Sequence, residues 1–437
     1  MKKIFFSILC ACGLFFAVQA QDSTTAREHI KYLSSKDLHG RGVAYDGERH
    51  AAEYLRDRLI EFGAEPLGED FFQPYEMPAF AMEGKVKCNI GKQALKAGED
   101  YRILPFSKSL KGEYRLIRIK PAVLISPQKI DAINKKYADI LPQSLIYLDN
   151  TNVKFKKEED ETQYKTALAS LKRLNPFNSA GIIEGVDKMP AWGLSGTNFK
   201  RNLAYIYIKA DKISGKDNTI EISYTNELVD YTHYNVCGKL PGTKHPEQYI
   251  VLTGHYDHLG AMGDEVYFPG AHDNASGCAF LLNMAQYFSA HSCEYSIVFL
   301  FFAGEESGLL GSKHFTENPL IPLENIKYVI NFDLLGGGDE GIMLVNSAEG
   351  KGLEIYKRLT EINEREHLLP KISQRSNAAN SDHYFFTQHK VPAIFMYTMG
   401  GRTGGYHDPS DSNENCSLTM FDNIFKLFRT LIEKEGE

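Results

Sequence analysis

Two adjacent carboxylates, Glu305 and Glu306, follow directly on the apolar run 296–304. That run reads as a fully buried strand, β-branched and aromatic along its length. Two anions at the mouth of such a strand repel each other and lose hydration, so a positive charge belongs beside them. Alone, a Glu-Glu pair would be a solvated turn. Four further segments change that reading, because each puts metal-ligand residue types at a strand or loop end. His255 and Asp257 follow the apolar stretch 250–253 and share one face of extended chain, which lets Asp257 orient the His255 imidazole. Asp273 lies in the small-residue segment 270–277, where the plainer alternative is a helix N-cap by Asp273 or Asn274. Asp333 closes the strand-like segment 326–334, and a buried strand rarely ends on a carboxylate without a partner. His407 sits on a Gly-rich loop that begins at Gly400.

Imidazole and carboxylate are zinc ligands, and hydrolytic two-metal sites hold their ions about 3.5–4 Å apart. Such a pair needs one bridging carboxylate, with a histidine and a terminal carboxylate for each ion. The inventory fits: His255 and Asp333 for one ion, Glu306 and His407 for the other, and Asp273 between them. Glu305 is left uncoordinated, the arrangement a general base beside an activated water requires. The expected chemistry is hydrolysis with two zinc ions.

These residues need elements to hold them. Residues 26–65 read as helical, with a Gly-rich turn at 38–42 and an amphipathic helix over 50–62. After residue 226, strands alternate with helices: strands over 248–254, 296–304, 326–334 and 391–397, helices over 275–289, 309–316, 350–367, 381–388 and 418–433. The fold class predicted is α/β, a three-layer mixed and mostly parallel sheet flanked by helices, with ligands beyond the carboxyl ends of the strands. Between 101 and 225 the texture differs. Short strands at 122–125, 144–148 and 180–184, with a helix over 165–174, indicate a separate β-rich insert holding no clustered chemistry.

The 437-residue chain carries a net charge of −7. It opens on Met1, Lys2 and Lys3, runs through an apolar stretch over 4–18 and reaches small residues at Val18 and Ala20. This is the pattern of a secretory signal peptide, residues 1–20, cut after Ala20; a lipoprotein reading through Cys10 or Cys12 leaves a very short apolar core. Removing Lys2 and Lys3 takes the charge from −7 to −9. No polybasic block remains, which disfavours nucleic acid and anionic membranes as partners, and no other stretch is long enough to span a bilayer. The expected location is periplasmic or secreted. Of seven cysteines, Cys88, Cys237, Cys278, Cys293 and Cys416 follow the leader, scattered and without C-x-x-C spacing. Neither a disulfide framework nor a thiolate zinc site is expected. The length suggests two domains: an N-terminal part of the main domain over 21–100, the insert over 101–225 and the main core over 226–437.

In order along the chain, H-Y-D at 255–257, A-H-D-N-A-S-G at 271–277, G-E-E-S-G at 304–308, N-F-D at 331–333, S-D-H at 381–383 and Y-H-D-P-S-D at 406–411 resemble the co-catalytic zinc aminopeptidase family. That family contains the bacterial leucine aminopeptidases and is related to glutamate carboxypeptidases and glutaminyl cyclases. Leu38-His39-Gly40-Arg41 and residues 51–55 resemble its opening helices, and the segment 101–225 is similar to a protease-associated domain. The resemblance implies an aminopeptidase acting on peptides with a free amino terminus. It also implies that Asp273 bridges two zinc ions through a segment with a cis Asp273–Asn274 bond. Two positions depart from the family: His272 stands where many members have Asp, and Asp408 where many have Thr. Asp408 adds negative charge beside His407, a change expected to bear on substrate preference. On the same scaffold, a glutaminyl cyclase would use one zinc ion, and a carboxypeptidase for acidic dipeptides would want basic residues, of which Arg402 is the candidate. A non-catalytic binding relative would lack ligands, and every ligand type is present here.

Overall fold

The computed structural model describes residues 23–194, 201–401 and 403–435. The expected signal peptide, residues 1–20, and Arg402 lie outside them. The main sheet has nine strands: β1 (Glu65–Pro66), β2 (Phe72–Glu76), β3 (Thr232–Leu240), β4 (His245–His255), β5 (Tyr295–Phe302), β6 (Ile326–Phe332), β7 (Gly341–Val345), β8 (Ile372–Arg375) and β9 (Ala393–Met399). Their order is β1-β3-β5-β4-β6-β9-β7-β8, with β2 also pairing with β3. The four central strands β5, β4, β6 and β9 are parallel, whereas β3 and β7 run antiparallel to their inner neighbours β5 and β9.

The continuous apolar character of β5 follows from burial on both faces. Ile297, Phe299 and Phe301 join a core completed by helices Ser23–Leu33, Gly47–Glu61, Ser276–Ala290, Gly350–Glu366 and Phe421–Glu433. Val298, Leu300 and Phe302 face the other way, onto Phe315 and Phe386 from helices Leu310–Glu317 and His383–Gln388. This is the expected three-layer α/β arrangement. Among the described residues no helix is long and apolar enough to cross a membrane. Cys88, Cys237, Cys278, Cys293 and Cys416 are free thiols.

A second, eight-stranded sheet builds the insert, with four parallel central strands, Leu110–Ile119, Ser144–Asp149, Gly181–Val186 and Ala204–Lys209. Helix Glu158–Leu171 packs on one face through Tyr164 and Leu171. The sheet also draws in Lys87–Ile90 and Gln93–Ala94, on the N-terminal side of residue 101. Paired strands Ala79–Ala81 and Glu227–Val229 lead into and out of it. The strand expected at 122–125 is instead a 3-10 turn over Pro121–Val123. Pro121 fixes φ near the helical value and has no N–H to give a ladder, so the apolar residues behind it turn rather than extend.

Two buried histidines on helices flanking the sheet give the fold a pH dependence. His29 contacts the Tyr54 hydroxyl at 2.7 Å, and His383 contacts Asn377 Oδ1 at 3.1 Å. Burial, foremost among the causes, lowers both pKa values to about 4. The unfolded chain takes up these protons first, so the contribution is complete above about pH 6.5 and is lost as the pH falls toward 4. At most roughly 3 kcal/mol is involved for each group. In the double variant His29→Gln/His383→Gln, the fall in urea midpoint between pH 6.5 and 4.5 should be shallower than in the parent. An equal slope in the two proteins would contradict this assignment.

Candidate metal centre

Parallel strands deliver their following loops to one edge of the sheet. His255 is the last residue of β4, Asp333 is the residue after β6, and His407 lies on the loop after β9. Glu305 and Glu306 follow β5 through Gly304, whose φ of 68° turns the chain, and a Cβ there would lie 2.6 Å from the Tyr75 hydroxyl. Asp273 sits in an irregular turn that opens helix Ser276–Ala290, and the Asp273–Asn274 bond is cis. Gly277 lets that helix start hard against β6, since a Cβ would meet Asn274 Oδ1 at 2.4 Å and the Phe332 carbonyl at 2.5 Å. Asn274 ties the two loops: its Nδ2 donates to the Phe332 carbonyl at 2.9 Å, and its Oδ1 accepts the N–H groups of Gly277 and Leu334.

The distances between the gathered side chains form a pattern. His255 Nε2 lies 3.3 Å from Asp273 Oδ1 and 3.4 Å from Asp333 Oδ1. His407 Nε2 lies 3.3 Å from Asp273 Oδ2 and 3.1 Å from Glu306 Oε2. These are long for charge-assisted hydrogen bonds, which close to roughly 2.7–2.9 Å. They match the edges of a tetrahedron: two ligand atoms at ~2.0–2.1 Å from a zinc ion stand about 3.3–3.4 Å apart. His407 Nε2 is buried and makes no well-formed hydrogen bond. The donor set therefore fits zinc, with one Asp273 oxygen turned to each histidine.

Electrostatics agree with that fit. Asp273, Glu306, Asp333 and Asp382 are all buried, and Glu305 is partly so. Burial drives the Glu305 pKa well above the usual carboxylate range; Glu306, Asp382 and Asp333 push the same way, against His255. Burial also raises Asp382 to about 7. His407 behaves oppositely: burial would depress it, but Asp273 and Glu306 raise it to about 10.

Hydrogen bonds to side chains and backbone hold the ring of acids in place. Asp257, expected to orient His255 through its carboxylate, also holds a neighbouring turn. Its carboxylate accepts the backbone N–H groups of Glu305 and Glu306 at 3.1 and 3.3 Å, while His255 Nδ1 lies closer to the Asp257 carbonyl (3.1 Å) than to its Oδ1 (3.6 Å). Asp257 thus sets the turn that carries the glutamate pair. Ser381 donates to Asp333 Oδ2 at 2.9 Å and is itself held by Asn331 and, through it, Thr253. Asp411 accepts the N–H groups of His272 and Asp273. His272 accepts the Gly336 N–H on its Nδ1.

Three residues were not singled out from sequence. His258, buried, places Nδ1 2.8 Å from Glu306 Oε1, and its atoms lie within 4.8 Å of Asp273 and Glu306 donors. The pattern H-Y-D-H contained it, but spacing gave it no separate role. Arg41 is fully buried and gives all five donors to backbone carbonyls: Tyr256, Leu33, Pro269, Gly270 and Asp273. It staples the N-terminal segment to the turn that carries Asp273. Arg102, from the insert, pairs with Asp408, so the added negative charge beside His407 is neutralised by a cation.

Fold and donor set together define an α/β scaffold with a histidine–carboxylate metal centre at the carboxyl edge of its sheet. Residues 235–432 match the profile of Peptidase family M28. Over 104 residues it is 38% identical to a protein of Pyricularia oryzae named a probable zinc metalloprotease, covering 23% of this chain and 21% of that protein. Over 213 residues it is 28% identical to aminopeptidase YwaD of Bacillus subtilis, covering 46% and 44%. The chain thus spans less than half the length of either relative. Among solved structures, a zinc aminopeptidase from Bacillus subtilis superposes with a TM-score of 0.66 at 16% identity, covering 95% of this chain and 97% of that one. A peptidase M28 precursor from Shewanella amazonensis gives 0.65 at 16% identity, covering 95% and 94%. At such identities these likenesses speak to the fold.

Arg41→Met would remove the guanidinium's hydrogen bonds to five backbone carbonyls, and hydrogen bonds to a charged group contribute about 1.5–3 kcal/mol apiece. Urea unfolding of the metal-free variant should show a loss of at least about 3 kcal/mol. A loss below about 1 kcal/mol would mean that the staple does not hold the Asp273 turn.

Proposed function

We propose that this protein is an exported zinc aminopeptidase with two co-catalytic ions. The observation that carries the reading is the shared Asp273 carboxylate, one oxygen 3.3 Å from His255 Nε2 and the other 3.3 Å from His407 Nε2. On this reading His255, Asp273 and Asp333 hold one ion, and His407, Asp273 and Glu306 the other. Zinc bound there would acidify water and polarise a carbonyl group.

The chain's own residues do the rest. Glu305 lies against this donor set, with a carboxylate oxygen within 4.8 Å of ligand atoms of His255 and Asp333, and on this reading it stays off the ions and acts as the general base. It takes the proton of the attacking water and returns it to the leaving amine as the peptide bond breaks. Asp257, gripping the N–H groups of Glu305 and Glu306, keeps one carboxylate on the ligand side and the other on the proton-transfer side. Substrates are peptides with a free amino terminus. The leader over residues 1–20 would carry the enzyme to the periplasm or beyond, and the insert takes the place of a protease-associated domain.

Zinc content measured alongside hydrolysis of aminoacyl-anilides and an amino-terminal glutamine peptide tests this directly. The parent should bind two zinc ions per chain and release the anilide. Glu305→Gln should keep both ions while kcat drops by roughly 10²–10⁴. One ion per chain with cyclisation of the glutamine peptide would favour a glutaminyl cyclase instead, and near-normal turnover by Glu305→Gln would remove the glutamate from its role. A second substitution addresses the bridge: Asp273→Asn should lose high-affinity binding of both ions, whereas a terminal ligand variant, Asp333→Asn, should weaken one.

A further inference from the structure

Of the proposed ligands that serve a single ion, His407 is the one farthest from a strand. His255 ends β4, Asp333 follows β6 by one residue, and Glu306 follows β5 by four, but His407 comes eight residues after β9 ends at Met399. It also adopts a left-handed backbone, with φ of 51°, which a side chain other than glycine takes up only when its surroundings impose it. A loop residue so placed needs anchors from outside its own strand.

Those anchors come from the insert. The backbone N–H of Trp192 donates to the His407 carbonyl at 3.1 Å. Trp192 is itself fixed, buried with its indole N–H on the Ile103 carbonyl at 2.7 Å and its ring stacked on Phe268 at 4.5 Å. One residue beyond His407, the Asp408 carboxylate pairs with Arg102. Arg102 is only 3% exposed, and its other donors bind the carbonyls of Gly98 and Pro190 at 3.0 and 2.8 Å. The second Asp408 oxygen accepts the Ser410 N–H and hydroxyl, closing the loop on itself. On its far side the same loop presents Asp411 to the Asp273 turn. The His407 loop is thus pinned between two domains, with the insert supplying the buried cation.

We propose that Arg102 and Trp192 of the insert are positioning residues that complete the site of the ion held by His407, so that docking of the insert sets the affinity of that ion and leaves the ion of His255 and Asp333 untouched. This rests on the reading of His407 as a ligand. It also gives Asp408 a role in metal retention in place of substrate preference.

Zinc titration of the full metal-free chain, read by competition with a chelating dye, tests it. His407→Ala should bind one ion tightly and lose the other. Asp408→Asn and Arg102→Met should each bind the first ion as the parent does and the second at least tenfold more weakly, the size of effect that residues supporting a ligand have on metal affinity. Arg102→Lys, which keeps a cation for Asp408, should recover much of that loss. Asp408 is partly exposed, so Asp408→Asn leaves the interior of the insert intact and carries the test if Arg102→Met folds poorly. His407→Ala retaining both ions would overturn the ligand assignment and the clamp with it. His407→Ala losing one ion while Asp408→Asn binds both as tightly as the parent would overturn the clamp alone.

Discussion

Where the central strands end, Asp273, Glu305, Glu306 and Asp333 converge out of bulk water, and that convergence of like charge is the constraint around which the rest of the molecule is arranged. Two such charges about 4 Å apart repel by roughly 4 kcal/mol in surroundings of moderate polarity, and removing each from water costs several kcal/mol more. Three histidines, His255, His258 and His407, face the carboxylates and relieve part of this, and a divalent ion among them would relieve far more. The separations of 3.1–3.4 Å between imidazole nitrogen and carboxylate oxygen suit ligands around a small cation better than partners in hydrogen bonds. The cluster has the shape of something built to hold charge rather than to avoid it.

Holding it open requires groups that touch no substrate. Arg41 and Asp411 grip the backbone around Asp273 from opposite sides, Ser381 and Asn331 fix Asp333, and Asp257 fixes the peptide link between Glu305 and Glu306. Most of these contacts join residues more than forty positions apart. Arg41 also carries fold stability through its five bonds; removing one of the others shifts a ligand rather than deleting it, so their effects should fall on metal affinity before they fall on the fold.

Much of this was legible in the sequence because the strong elements obey simple periods. The 296–304 run, apolar without a break, is a central strand, and the ligand types fall just after such runs. The less regular parts were harder. Strand β3 carries His233 and Asn235 inward, where Glu48 meets the His233 Nδ1 and Gln73 accepts from Asn235, so its pattern does not look like a buried strand. Strands β7 and β8 are short, with β8 at the sheet edge and β7 between it and β9, and their burial does not alternate. Asp257 illustrates another limit. Alternation puts it on the face of His255, where its Oδ1 lies 3.6 Å from Nδ1, but nothing local announces that the same carboxylate also accepts the N–H groups of Glu305 and Glu306. The Arg102–Asp408 pair spans 306 positions, and no local pattern in one sequence announces such a partnership.

The central claim is that one carboxylate, Asp273, lies between two metal ions. Crystals grown with zinc and measured at the zinc absorption edge address it without reference to turnover. The account requires two anomalous peaks flanking Asp273 and about 3.5–4 Å apart, one against His255 and Asp333 and the other against Glu306 and His407. A single peak, or two peaks that leave Asp273 outside their shells, would contradict it.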